Sequence, residues 1–419
     1  MDNENKTPAQ RRAERQKYAR IQRYIRLSAI ALAIVLSVIA LFQSCSTRKA
    51  IDDLAAQIRA KKIAQAQAEL QALEDTQTTP SPTVSVPPAD GASVTLSFVG
   101  DCTLGMDESD AYAGSFEEYY DSYGAPYFFQ NVKSIFEGDD LTVANLEGTF
   151  TTSENRSDGD PTFKALPSHV TILAEGGIDA VSVANDHTHD YGNESYVDTL
   201  ANLDIADIGR FGFDNVLTLT VGTSAATADT ASSGSALAQA DGVLVGLTGA
   251  WLRDQEDQQQ VLQNIQDLRD EGAQIVIVSL HWGTENASSP DDTQIELAHQ
   301  IIDAGADLIV GHHSQVLQGI ELYHGKYIAY SLGTFISGGM SSGDMDTIIF
   351  QQTFTISGGK CLENAQLNII PCSISAEAQR NTYCPTPAGG TEAQRILDKI
   401  YALSGELDGG IRPPESEEA

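Results

Sequence analysis

"IDAVSVANDHTHDYG", residues 178–192, places an apolar run directly before a cluster holding Asp186, His187, His189 and Asp190. Short apolar runs with little polar alternation read as strands buried on both faces. The same pattern recurs in "VTLSFVGD" (94–101), "LTVANLEG" (141–148), "AQIVIVSLHWG" (273–283), "ADLIVGHH" (306–313) and "YIAYSLGTF" (327–335). Between these runs, "DQQQVLQNIQDLRDEG" (257–272) and "DTQIELAHQIIDAGA" (292–306) have helical spacing and close at or near a glycine. The spacing predicts an α/β domain with a largely parallel sheet core.

In open α/β sheets the carboxyl ends of the strands share one crevice, where ligands bind. Asp101, Asn145, Glu147, Asn185, Asp186, His187, His281, His312 and His313 all follow closely on these runs. A single polar residue after a strand usually opens a turn. Here His187, His189, His281, His312 and His313, five of the eight histidines in the chain, fall in three of the clusters. Asp, Glu, Asn and His in such numbers predict a divalent metal site, and imidazole favours Mn, Zn or Fe over the alkaline earths. His189 lies two positions from His187 and is expected to point elsewhere. Asp190 is expected either to orient His187 or to cap the following helix.

The remainder of the chain divides sharply. Residues 1–26 carry eight Lys and Arg against Asp2, Glu4 and Glu14, and the uncharged run "LSAIALAIVLSVIALFQSC" (27–45) follows. Roughly 20 apolar residues span a bilayer as a helix, and basic residues before it keep the N-terminus cytoplasmic. These residues predict a single-pass anchor with the main domain extracellular; the alternatives are a cleaved leader and lipidation at Cys45. Residues 46–75 favour a helical stalk, with Ile51, Leu54 and Ile58 opening a heptad that Lys61 and Gln65 interrupt, a pattern for weak self-association. Residues 76–91 form a Pro/Thr/Ser linker, residues 92–375 the folded domain, and residues 376–419 a C-terminal extension.

Ten of the 25 basic residues but three of the 58 acidic ones lie within residues 1–49, so the remainder carries a formal charge of about −40. Such a surface repels nucleic acid. An anionic substrate therefore needs a local cation in its pocket. Cys361, Cys372 and Cys384 lie close together in an exported region, which leaves a Cys372–Cys384 bridge, a Cys361–Cys372 bridge and free thiols as alternatives.

The segments "FVGDCTLG", "ANLEGTF", "SVANDHTHDYG", "SLHWGTE", "DLIVGHHSQVLQGIE" and "YIAYSLGTF" resemble, in order and spacing, the capsule-biosynthesis protein CapA family, associated with poly-γ-glutamate. That family is similar to the calcineurin-like metallophosphoesterases. The resemblance covers about residues 94–375 and implies a four-layer α-β-β-α sandwich with a metal centre at the strand ends. It further implies Asp101, Glu147, Asp186, His187, His281 and His313 as metal ligands, His312 and His281 as catalytic groups, and Asn145, Asn185, Trp282, Glu285 and Gln315 as substrate contacts. For Tyr191, as for Trp282, packing is the commoner role and lining the pocket the alternative. The implied partner is an anionic cell-envelope polymer or its synthase complex. Three readings stay open: processing or export of the polymer through the metal, a non-catalytic scaffold, and phosphoester hydrolysis.

Three positions depart from the family pattern, and a fourth departs only from that of the classical phosphoesterases, as is usual in this branch. Asp186 stands where the "ANNH" block has Asn, Gln315 where "GHHPH" has its last His, and Thr334 where "YSLGNF" has Asn. Thr103 occupies the place of the His that follows the first Asp in phosphoesterases. These departures predict that one of two metal positions loses ligands.

Overall fold

The computed structural model describes residues 92–108, 114–159, 161–222, 242–339, 343–362 and 366–414. The expected anchor (27–45), stalk (46–75) and linker (76–91) lie outside the described residues. Within them, no helix is long and apolar enough to cross a membrane.

In chain order the strands are β1 (Ala92–Thr103), β2 (Leu141–Leu146), β3 (Thr149–Phe150), β4 (Lys164–Ala165), β5 (Ala180–Ser182), β6 (Gly209–Phe211) and β7 (Leu217–Val221). They continue with β8 (Val243–Trp251), β9 (Ile275–His281), β10 (Leu308–His312), β11 (Ile320–Tyr323), β12 (Lys326–Ala329) and β13 (Thr334–Ser337). The last are β14 (Asp346–Ser357), β15 (Lys360–Cys361), β16 (Leu367–Ser373) and β17 (Thr386–Pro387). The helices are α1 (Phe116–Tyr123), α2 (Lys133–Phe136), α3 (Thr171–Gly176), α4 (Gly192–Ile205), α5 (Gln255–Asp270), α6 (Asp292–Asp303) and α7 (Gly390–Ser404).

One sheet runs β17-β16-β14-β1-β2-β5-β6, with β13 also on β1 and β15 on β14; the other runs β11-β12-β10-β9-β8-β7. The central strands β13, β1, β2, β5 and β6 are mutually parallel, as are β8, β9, β10 and β12. Antiparallel strands are added outside them, so both sheets are mixed.

Three apolar layers account for the stacking. Val94, Leu96 and Phe98 of β1 and Leu141 and Val143 of β2 share a cluster with Leu247, Ile275, Ile277, Leu308 and Val310, which closes sheet on sheet. Their alternate neighbours Val99, Ala144, Leu146 and Val181 pack against Phe116, Phe136, Leu173 and Leu203. On the far side Val276, Val278, Leu280 and Ile309 meet Val261, Ile265 and Leu268 of α5 and Leu297 and Ile301 of α6. Each fully buried side chain of this kind contributes about 1.5–3 kcal/mol. The result is an α-β-β-α sandwich. Asp254 starts α5 by accepting from the Glu256 and Asp257 amides, and Asp291 starts α6 in a capping box with Gln294.

Two expectations change. "YIAYSLGTF" reads as one strand but is two, β12 in one sheet and β13 in the other, with the chain crossing between sheets at Tyr330–Gly333. Gly333 turns there at φ 68°, which glycine tolerates at no steric cost. The C-terminal segment read as an extension buries Tyr383, Cys384, Ile396 and Ile400. Arg395 and Lys399 of α7 also pair with Asp346 at the start of β14. Cys361, Cys372 and Cys384 are free thiols, which removes both bridge alternatives.

The crossing segment presses on the strands it leaves behind. A Cβ on Gly311 would lie 1.9 Å from the Tyr330 carbonyl oxygen, and one on Gly100 would lie 1.8 Å from that of Gly333. Gly311→Ala should therefore destabilise the domain by roughly 3 kcal/mol or more. Gly389→Ser, at an open site with φ −126°, should leave the thermal midpoint nearly unchanged. Equal midpoints for the two variants would refute this account of the crossing.

Candidate metal centre

The two-residue period of strands delivers the polar side chains to one place. On β9, Ile275 and Ile277 face the other sheet, so His281 does as well; on β10, Leu308 and Val310 set the same direction for His312. On β2, Leu141 and Val143 do the same for Asn145, and the next step reaches Glu147. Strand β1 is the exception, because Phe98 and Asp101 are three residues apart and would face oppositely. A register shift between Phe98 and Asp101 corrects this and turns Asp101 toward the second sheet.

Asp186 lies at the middle of the assembly. Its Oδ1 is 2.8 Å from His281 Nε2 and 3.9 Å from His187 Nε2, and its Oδ2 is 3.9 Å from His313 Nδ1. His313 Nδ1 is in turn 3.0 Å from His281 Nε2. Two groups have all their ligand atoms within 4.8 Å of one another: Asp186, His281 and His313, and Glu147, Asp186 and His187. His313 holds a left-handed backbone at φ 87°, uncommon for a side-chain-bearing residue and frequent at functional sites.

A second set supports these. Asp190 Oδ2 lies 2.8 Å from His187 Nδ1 and accepts from the Phe163 amide at 2.5 Å, while the Phe163 ring packs 4.3 Å from the imidazole. Thr103 donates to Glu147 at 2.9 Å. Asn145 donates to Asp101 at 2.9 Å and accepts from Asn185 at 3.2 Å. Asn185 also accepts from the His187 amide at 3.2 Å, so a chain of amides ties β1 and β2 to the His187 loop.

The charges are strongly coupled. Burial opposes ionisation of Asp186, but the hydrogen bond and charge of His281, with His187 and His313, outweigh it and hold the carboxyl below its usual range. Burial likewise works against charge on His187, yet Asp190, Glu147 and Asp186 raise it to about 9. Glu147 is pushed well above the usual range by burial and by the charges of Asp101 and Asp186. Burial pulls His281 down. Burial opposes the charge on Asp101 too, but His312 and His281, with the Asn145 amide, hold it below its usual value.

The expected site residues separate by environment. Asp186, His187, His281, His313 and Glu147 gather into the two groups. Asp101 falls in neither: its Oδ1 is 3.0 Å from His312 Nδ1 and its Oδ2 accepts from the His313 amide at 3.3 Å. Asn145 and Asn185 are buried and spend their amides on the protein. Trp282 is buried, donating to the Tyr330 carbonyl at 3.0 Å, and Tyr191 is buried under the Lys164 ammonium. Of the expected substrate contacts, Glu285 is exposed and Gln315 partly so. His189 is exposed and packs at a tilt against Tyr196, while Asp190 orients His187 and makes no cap, since the α4 N-cap is Tyr191. Phe163 was not foreseen. It reaches His187 from a separate segment, and nothing in its local sequence marks it.

Imidazole nitrogens and carboxylate oxygens are the donor set of Mn, Zn and Fe sites, so these residues fit a divalent ion. The fold and this cluster thus define an α/β sandwich protein with a candidate metal centre at the strand ends. Residues 95–339 match the family described as bacterial capsule synthesis protein PGA_cap, and the chain belongs to that family. The PGA biosynthesis protein CapA of Bacillus subtilis is 31% identical over 258 residues, 58% of this chain and 63% of its own. The capsule biosynthesis protein CapA of Bacillus anthracis is 27% identical over 292 residues, 66% and 67% of the respective chains. The chain thus spans just under two thirds of the length of the B. subtilis relative. The calcineurin-like phosphoesterase YfkN from B. subtilis aligns with 75% of this chain and 99% of its own at 13% identity and a TM-score of 0.43.

Metal binding by His187 and Glu147 requires both to be deprotonated. Because His187 is raised to about 9 and Glu147 is also raised, loading at pH 7 should release about one to two protons per chain. Affinity should climb as pH rises toward 9 and proton release should fall away above it. Calorimetric titration of manganese in buffers of different ionisation enthalpy measures this. Heats independent of the buffer would exclude it.

Proposed function

We propose that this chain is a membrane-anchored, extracytoplasmic protein that acts on poly-γ-glutamate or a related envelope polymer during its biosynthesis, export or processing, through a divalent metal centre. Membership of the capsule-synthesis family supports the polymer, and the names of the Bacillus relatives agree. The basic tail before an uncharged run at 27–45 supports the anchor and the outward domain. One observation carries the metal reading: Asp186, His281, His313, Glu147 and His187 converge with their ligand atoms within 4.8 Å in each group.

Hydrolysis of the γ-amide bond is the reaction we assign. A bound divalent ion supplies Lewis-acid polarisation and positive charge. The protein's own contribution lies in proton management. Amide cleavage needs a proton for the departing amine, and His312, with Nδ1 3.0 Å from the buried Asp101 carboxylate, is placed as that donor. Asp101 thereby acts on His312 rather than as a ligand. Asn145 holds Asp101, and Asp190 holds His187, so neither of these two side chains turns freely. The polymer or its synthase complex is the partner, with no role for nucleic acid on a surface this acidic.

The full-length chain, loaded with manganese or zinc, should show tightly bound metal by elemental analysis and should generate new amino groups from poly-γ-glutamate. His281→Ala and His312→Gln should each lower turnover by about 100-fold or more, with His312→Gln retaining its metal. A protein that takes up no metal would sink the centre. Undiminished turnover in His281→Ala would point to a scaffold, and turnover confined to a phosphodiester would point to phosphoester hydrolysis.

A further inference from the structure

We infer that the cavity between Phe213 and the start of α5, beside the candidate metal centre, binds the amino-terminal unit of a γ-linked glutamate chain through its ammonium and its α-carboxylate. The inference rests on the hydrolytic reading above for the polymer and adds which unit of it the protein holds. The cavity measures about 350 Å³, within the range of small-molecule sites. Ala250 of β8 is on its wall, the next residue Trp251 is in register with His281, and the Leu252 amide donates to the His281 carbonyl at 3.0 Å. From the other sheet, His189 of the His187 loop packs against Phe213, with ring centroids 6.4 Å apart.

The wall carries both signs of charge in fixed positions. Arg253 donates to Asp257 through Nε at 3.0 Å and Nη2 at 2.8 Å and lies 4.8 Å over the Trp251 ring. Its Nη1 makes no hydrogen bond among the described residues and can meet a carboxylate. Asp257 is spent on that pair, and Asp254 caps α5 through its Oδ1. Asp214, whose Oδ1 takes the Asn215 amide at 3.1 Å, and Glu256 are the carboxylates that remain for an ammonium. Phe213 closes the apolar side, with its amide on the Gly249 carbonyl at 2.8 Å and its own carbonyl on the Asn264 amide at 2.9 Å.

One guanidinium facing four carboxylates leaves this lining negative. Interior units of the polymer carry a carboxylate and no cation, so the lining repels them. The amino-terminal unit adds an α-ammonium, protonated at neutral pH, and is a zwitterion that answers both signs. Four bonds separate its ammonium nitrogen from its γ-carbonyl carbon, roughly 5 Å when extended. Adjacent strands are about 4.8 Å apart, so a unit seated beside β8 brings that carbonyl to the strand end bearing His281. Hydrolysis there adds the hydroxyl of water to the carbonyl carbon and a proton to the departing nitrogen. One glutamate leaves, and the shortened chain presents a new amino terminus of the same kind.

Holding the end and cutting the chain are tested apart. The full-length chain, stripped of metal and titrated calorimetrically, should bind γ-glutamylglutamate at least about tenfold more tightly than its N-acetyl derivative, which lacks the ammonium. Arg253→Gln, and Asp214→Asn combined with Glu256→Gln, should each weaken the free dipeptide by about tenfold, with circular dichroism and manganese content unchanged. The manganese-loaded chain should release glutamate from poly-γ-glutamate with free amino termini and stall on polymer whose termini are acetylated. Equal affinity for the two dipeptides, unchanged binding in both variants, or equal cleavage of free and acetylated polymer would overturn the inference and leave the hydrolytic reading standing. Tight, amine-dependent binding without release of glutamate would keep the site and overturn the hydrolysis.

Discussion

The crossing of the chain between the two sheets at Tyr330–Gly333 is the constraint on which the rest of this structure depends. The Asp101 amide donates to the Gly333 carbonyl at 3.0 Å, and the Leu332 amide donates to that of Gly311 at 3.2 Å. One short segment is thereby bonded to the end of β1 in one sheet and β10 in the other. Side chains cannot fit between, which is why glycine precedes both Asp101 and His312. With the strand ends pinned together, Asp101 and His312 touch across the gap, and the other polar ends must converge at the same edge.

Convergence carries an electrostatic cost that the site resolves internally. Burying carboxylates is unfavourable unless they are paired and hydrogen-bonded. Here Asp186 is set among His281, His187 and His313, Asp101 against His312 and Asn145, and Asp190 against His187 and the Phe163 amide. Glu147, with the Thr103 hydroxyl as its hydrogen-bond partner, is the member that burial pushes furthest toward holding a proton. Groups poised in this way exchange protons for a cation readily, and that links the packing of the sandwich to the metal-dependent role we propose.

Much of this was legible in the chain. Buried strands followed by Asp, Glu, Asn and His could be read at 101, 145–147, 185–187, 281 and 312–313, because the strand period and the strand-end crevice are local rules. Other features had no local signal. β8 escaped notice because its Gly246 and Gly249 dilute the apolar run. The break in "YIAYSLGTF" was hidden, since an apolar run looks the same whether it stays in one sheet or leaves it. Asn145 and Asn185 read as ligand contacts because residue type does not reveal that an amide is already satisfied.

Sequence by itself determined the α/β class and the identity of the titratable groups at the strand ends, since both follow from periodicity and residue type along a continuous segment, while the resemblance to the capsule-synthesis family supplied the four-layer sandwich and the departure at Asp186. Only the tertiary structure decided how those groups are shared. A register shift in β1 turns Asp101 onto His312, the pairing of β4 with β3 sets the adjoining Phe163 against His187, and the apposition of two sheets places Asp186 beside His281, His187 and His313. These relations join residues far apart in the chain. They are fixed by packing distances of a few ångströms that no local pattern encodes.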